Sequence, residues 1–76
     1  MSITPQQVKA ARRLLGWSQP ALAARARINR EAVLAFENGR RRVSDDSMFA
    51  IRRAFEGAGV EFSPWSASFR NEKAGP

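Results

Sequence analysis

Apolar residues recur at intervals of three and four in four segments of the chain, and each segment is bounded by residues typical of helix ends. The first predicted helix covers residues 4–15, where Thr4, Pro5 and Gln7 form a start signal with a capping box. Gly16 is placed to end it in the left-handed conformation. The apolar positions of this helix are Val8, Ala11, Leu14 and Leu15.

Two further predicted helices lie close together in the middle of the chain. Ser18 caps a second helix that runs to about Ala26, and only the residues RIN separate it from a third helix. Asn29 is the predicted cap of that third helix, and Gly39 is the residue that stops it. Two helices joined by so short a turn are typical of a helix-turn-helix arrangement.

The fourth predicted helix covers about residues 45–57, with Ser44 as its cap and two acidic residues in its first turn. The segment after it supports two interpretations. Val60 and Phe62 alternate as in a strand, whereas Ser63-Pro64 is a good helix start. The aromatic residues at positions 62, 65 and 69 have the spacing of that alternative helix.

Length and composition limit the classes of protein. The 76 residues predict one domain, and the absence of cysteine and histidine excludes disulfides and a Cys/His zinc site, so we expect no cofactor. No nucleophile–base constellation is present, which makes an enzyme improbable. No apolar run has the length of a signal peptide or a membrane span, so we expect a cytoplasmic protein without a membrane partner.

Charge adds a prediction about partners. The formal net charge is +6, with eleven arginines and two lysines, and this favours a polyanionic partner, above all nucleic acid. An anionic membrane surface or RNA is the less favoured partner, because the basic residues cluster around the predicted helix-turn-helix and not along an amphipathic face.

Three fragments in order, LGWSQ, LA and FENGR, give the chain a family resemblance. Over about residues 4–62 it resembles the Cro/lambda-repressor-like helix-turn-helix domains of the xenobiotic-response-element (XRE) family. The resemblance implies an all-α, compact bundle of four or five helices with the third helix in the major groove of double-stranded DNA. We expect a DNA-binding domain at residues 1–62 and a tail at 63–76, whose last residues, from about Asn71, are mobile.

The resemblance implies roles for individual residues. An ion pair between the first and third helices is implied for Arg12 and Glu37. Arg27 stands where the family usually has glycine, which predicts a strained or slightly remodelled turn. The residues expected to face base edges are Arg30, Glu31, Ala32 and Ala35. The residues expected to contact phosphates are Gln19, Asn38, Gly39, Arg40, Arg41 and Arg42.

Some of these roles have alternatives. Arg30 is the best candidate for a guanine contact. The alternative is that its side chain contacts only phosphate or solvent. Glu31 is placed to accept a hydrogen bond from a cytosine amino group, or merely to complement the positive end of the helix. Glu37 is expected to be turned inward, because an exposed acid there would oppose DNA binding.

The apolar residues of the tail exceed what a four-helix core needs, and they are Val60, Phe62, Trp65 and Phe69. Since members of the family commonly dimerise through this region, we expect a homodimer that reads two half-sites about 34 Å apart. The alternative is that the tail folds back on its own core. A protein-interaction module on the same fold, such as an antitoxin or antiactivator with a regulatory protein partner, is the alternative function.

Overall fold

A computed structural model describes residues 3–39, 43–64 and 66–69. Within these ranges the chain forms four helices followed by a short hairpin, which confirms the mostly helical fold predicted from the sequence. The elements are α1 (Pro5–Leu15), α2 (Gln19–Ala26), α3 (Arg30–Glu37), α4 (Asp45–Gly57), β1 (Val60–Ser63) and β2 (Ser66–Phe69). The predicted mobile end after Arg70 lies outside the described residues.

Local side-chain signals set most of the helix starts. The Thr4 hydroxyl accepts from the Gln7 backbone N–H at 3.1 Å, and the Gln7 side chain accepts from the Thr4 N–H at 2.8 Å, so the predicted capping box is confirmed. Ser18 and Ser44 cap α2 and α4 in the same way. Asn29 stands at the N-cap position of α3, but its side chain makes no capping hydrogen bond. That part of the prediction is wrong, since residue type alone does not fix the rotamer that a capping bond requires.

The turn between α2 and α3 keeps a glycine-like backbone with a non-glycine residue. Arg27 has φ +60°, and the backbone N–H of the next residue, Ile28, donates to the Ala23 carbonyl at 3.0 Å. The turn is therefore not remodelled to relieve Arg27. The left-handed conformation is retained because it lets the chain reverse within three residues and satisfies the last carbonyls of α2.

One hydrophobic core joins the helices to β1. Phe55 of α4 lies fully buried near its centre; the Trp17 ring stacks on it at 5.5 Å between centroids, and Phe62 meets it edge-on at 5.9 Å. The buried apolar residues are Ile3, Val8, Ala11, Leu22, Ala23, Ala26, Val33, Phe36, Ile51, Phe55 and Val60.

The segment after α4 is an antiparallel hairpin and not a helix. Val60 pairs with Phe69 and Phe62 with Ala67, so all four side chains share one face of the hairpin. The strand interpretation is thus confirmed, and the helix beginning at Ser63-Pro64 is wrong. Alternation prevails over helical spacing here because the alternating residues bury Val60 in the core and bring Phe62 against Phe55.

Gln7 ties the hairpin to the first helix. This side chain is buried, and besides its capping bond its Nε2 donates to the Ser63 carbonyl, 56 residues away in sequence. The boundary predicted between residues 62 and 63 consequently falls inside β1. β1 and β2 form one two-stranded sheet, and the predicted division of the chain into a domain and a tail stays a prediction.

Candidate nucleic-acid interface

Helix α3 is attached to the core by one side and exposed on the other. Val33, Phe36 and Glu37 are buried, whereas Arg30 and Glu31 at its first turn are exposed. The outward side continues along the helix at three- and four-residue intervals, through the half-buried Ala35 to the exposed Asn38. A helix held in this way presents its N-terminal residues and one flank to a partner.

A buried ion pair fixes the C-terminal end of α3. Arg12 of α1 donates to both carboxylate oxygens of Glu37, at 2.7 Å from Nε and 2.8 Å from Nη2, and Arg12 also donates to the Trp17 carbonyl at 3.1 Å. Gln19, the first residue of α2, adds a bond from its Nε2 to Glu37 Oε1 at 3.1 Å. Glu37 is only 4% exposed and thus lies inward, where it links three helices.

Both members of this pair stay charged. Burial by itself would raise the pKa of Glu37, but hydrogen bonds from Arg12 and Gln19, with the charges of Arg12 and Lys9, outweigh burial and lower it. The hydrogen bond to Glu37 is the main reason that the pKa of Arg12 is raised. The acid therefore stays ionised without presenting its charge on the surface beside α3.

An open groove separates the outward side of α3 from the start of α4. Glu31, Ala32 and Ala35 line it from α3, as the sequence-based assignment of base-facing residues would place them. Ser44 and Ser47 line it from α4 and were missed as site residues, because Ser44 was interpreted only as a cap. Ser44 Oγ accepts from the Ser47 backbone N–H and donates its own hydroxyl to Ser47 Oγ, so its proton is already used within the helix start.

Leu34 is another residue that the sequence-based assignment missed. It is half-exposed and lies between Arg30 and Asn38 at helical spacing, on the outward flank of α3. The repeat of four that places Arg30, Leu34 and Asn38 in one row was available in the sequence.

The candidates for phosphate contact lie around the ends of α2 and α3. Gln19 is half-buried at the start of α2, and Asn38 and Gly39 are exposed at the end of α3, where Gly39 has φ +66°. Predicted contacts of Arg40, Arg41 and Arg42 lie outside the described residues.

The four apolar residues of the tail are placed unequally. Val60 is 1% exposed and belongs to the core, and Phe62 is half-buried against Phe55. Phe69 is 53% exposed at the end of β2, and Trp65 lies outside the described residues. Val60 and Phe62 thus pack on the chain's own helices, whereas Phe69 does not, and the choice between dimerisation and folding back stays a prediction.

A short-turn pair of helices, the second braced at its end and exposed at its start, defines a helix-turn-helix DNA-binding domain. A family model described as helix-turn-helix matches residues 8–62, which is most of the chain. The protein therefore belongs to this helix-turn-helix family of Cro/C1 type, a DNA-binding regulatory family, and the resemblance to XRE-family regulators is confirmed. No curated protein matches the chain significantly. Among the described residues, no helix has the length and apolar character required to cross a bilayer.

Proposed function

We propose that this regulator binds double-stranded DNA sequence-specifically, with α3 in the major groove. The observation that carries the proposal is the fixation of α3: Glu37 is bonded to Arg12 and Gln19, while Arg30 at the other end is exposed. A recognition helix must be held rigidly, since base contacts depend on hydrogen-bond geometry.

The proposed base contacts follow from residue chemistry along the outward side of α3. Arg30 would donate to O6 and N7 of a guanine, and Glu31 would accept from a cytosine amino group. Leu34 and Ala35, with the smaller Ala32 beside the groove, offer apolar contact to thymine methyl groups. These contacts would select the sequence.

The proposed phosphate contacts surround this row. Gln19 and Asn38 have side-chain amides for phosphate oxygens, the Gly39 backbone lets the strand approach, and residues 40–42 add three positive charges. Such contacts hold the protein on DNA without selecting a sequence, and they make binding strongly salt-dependent.

We also propose that the protein acts as a homodimer on a palindromic operator. Phe69 is the most exposed apolar side chain of the hairpin, and each strand of a two-stranded sheet has one edge without a strand partner. A second copy would add to that edge and cover Phe69, with Trp65 nearby in sequence. Val60 and Phe62 would support this contact from the core side.

Selection of binding sites from random duplex DNA tests the proposal, with affinity measured at two salt concentrations. We expect a palindromic enriched site, a steep loss of affinity at the higher salt, and relaxed preference at one position of each half-site in Arg30→Ala. Arg13→Ala is the matched control, because Arg13 is an exposed arginine of a different helix, α1. Equal, weak binding to every sequence would contradict the proposal and favour the protein-interaction alternative.

A further inference from the structure

A second basic surface lies away from α3, where the C-terminal ends of α2 and α4 meet. We name this surface the arginine groove; it is an open groove lined by Trp17, Arg25, Arg27, Arg53 and Ala54. The three arginines are exposed. None of them forms an ion pair with a carboxylate among residues 3–39, 43–64 and 66–69.

Two of these arginines are held by aromatic rings. The Arg25 guanidinium lies 4.6 Å from the centroid of the Trp17 ring, which is itself stacked on the buried Phe55. The Arg53 guanidinium lies 5.6 Å from the centroid of the Phe49 ring, one turn earlier on α4. Cation–π contact of this kind restrains the guanidinium while its N–H groups remain free to bind an anion.

Phe49 adds an apolar element to the same surface. This ring is 62% exposed, the most exposed large apolar side chain among the described residues, and it lies directly beside Arg53. Small residues of α2 and α4, including Ala24 and Ala54, also line the groove. This surface combines an exposed aromatic ring, small apolar residues and flanking arginines. It is therefore complementary to a segment that carries both carboxylates and an apolar side chain.

The arginine groove is separate from the proposed DNA-reading surface. The groove beside α3 reaches α4 at Ser44 and Ser47, whereas the arginine groove reaches it at Arg53, Ala54 and Gly57. A helix rises about 1.5 Å per residue, so Ser47 and Arg53, the nearest lining residues of the two grooves on α4, are about 9 Å apart along the helix. A partner of modest size can therefore occupy the arginine groove while DNA contacts α3.

We infer that the arginine groove with Phe49 is a docking site for an acidic protein segment with an apolar anchor residue. Carboxylates of that segment bind Arg25, Arg27 and Arg53, and its apolar side chain packs on Phe49 and Ala54. A DNA backbone would leave Phe49 unburied, which is why the occupant is an acidic polypeptide and not a second stretch of duplex.

A displayed library of random short peptides, selected on the full chain and counter-selected on Arg25→Ser/Arg53→Ser, tests this inference. We expect the enriched peptides to combine several Asp or Glu residues with an aromatic or large aliphatic residue. One synthetic enriched peptide, titrated into isotopically labelled protein, should shift the amide resonances of Ala24, Ala54 and Gly57. Enrichment without acidic residues, or shifts centred on Arg30 and Glu31, would overturn the inference.

Matched variants separate the site from net charge. Arg25→Ser/Arg53→Ser should weaken the peptide about tenfold, whereas Lys9→Ser/Arg13→Ser, which removes the same charge from α1, should change affinity less than about threefold. Phe49→Gln leaves the charge unchanged and should weaken the peptide by about fivefold or more. Equal losses of peptide affinity in the two double variants would show that only long-range charge attraction is involved. That result would overturn the proposed docking site.

Added duplex DNA distinguishes the remaining alternative. We expect the peptide to stay bound when saturating duplex is added, as a ternary complex of protein, DNA and peptide. Displacement of the peptide by duplex of random sequence, with shifts at Ala24 and Gly57, would assign the groove to phosphate binding and overturn the inference. Melting curves of each variant verify folding, and Phe49→Gln decides the matter if Arg25→Ser proves unstable.

Discussion

Glu37 is the residue whose role depends most on its burial. Its side chain is 2% exposed and accepts three hydrogen bonds, two from Arg12 and one from Gln19. Removing one member of a buried pair leaves the other charge poorly solvated, and this costs more than the pair contributes over apolar replacements. Glu37 should therefore matter to stability and to the position of α3, and little to the choice of base.

Glu37→Ala is expected to lower the free energy of unfolding by about 2–3 kcal/mol, because Arg12 would lose its partner in a site that is mostly shielded from water. Urea unfolding measures the change. The control is Glu56→Ala, which breaks the exposed Arg52–Glu56 pair and should cost less than about 1 kcal/mol. A melting temperature equal to that of the parent would contradict a stabilising Arg12–Glu37 ion pair between α1 and α3. A changed base preference without loss of stability would contradict it as well.

The pH dependence of stability should also reflect the Arg12–Glu37 ion pair. The pKa of Glu37 is lowered from its usual 4.5 in the folded protein, so in acid the unfolded chain binds a proton that the folded chain does not. Stability from the pair is complete above the usual pKa and is lost as the pH falls through the lowered one. We expect the difference in melting temperature between the parent and Glu37→Gln to shrink on acidification below about pH 4.5. A difference that stays constant with pH would contradict a charged Glu37.

The turn between α2 and α3 contains a residue in the left-handed conformation. A helix-turn-helix needs a left-handed residue after its first helix, and Arg27 adopts φ +60° and ψ +45° there. A side chain in this conformation is disfavoured by about 1–2 kcal/mol, which is partly offset because arginine restricts the unfolded chain more than glycine does. Strain of this size is tolerated because neighbouring contacts fix the turn.

Arg27→Gly should stabilise the fold by about 0.5–1 kcal/mol, since only the folded state contains the strained conformation. Thermal and urea unfolding measure the gain. The matched control is Ala24→Gly, an exposed position within α2 with helical backbone, which should destabilise by about 1 kcal/mol. Destabilisation by both substitutions would indicate that the Arg27 side chain contributes contacts that outweigh the strain.

The elements also differ in how far the sequence predicted them. Helix starts at Thr4, Ser18 and Ser44 were predictable because a capping bond spans only three residues. The hairpin was not decided by its own sequence, since Phe62 fits both strand alternation and helical spacing. The contact with Phe55 on the preceding helix and the hydrogen bond from Gln7, which is remote in sequence, select the strand.

The whole molecule raises the question of assembly. A two-stranded hairpin is stable here because its apolar face packs on the helices, through Val60 and Phe62. That packing uses Val60 and part of Phe62, two of the residues that the sequence offered for dimerisation. The proposed dimer is therefore expected to depend on the outer edge of the hairpin and on Phe69.

Sedimentation at tens of micromolar protein should give the mass of a dimer, and Phe69→Ser should shift it to that of a monomer. The melting temperature of dilute Phe69→Ser should change little, because its ring is 53% exposed within one chain. Phe62→Ser is the contrasting variant, and it should lower the melting temperature by removing the edge contact with Phe55. A monomer mass for the parent protein would contradict the dimer and leave the hairpin as a part of the domain core.

The sequence by itself determined the four helices, the short turn between the second and third, and the family, because these depend on signals within a few residues. It also predicted which end of α3 is exposed, since helical periodicity separates Arg30 from Val33 and Phe36. Only the tertiary structure decided that the segment after α4 is a hairpin and not a helix, and that Arg25 meets Arg53. These depend on contacts between residues far apart in the chain, where burial and packing select among conformations that local sequence permits equally.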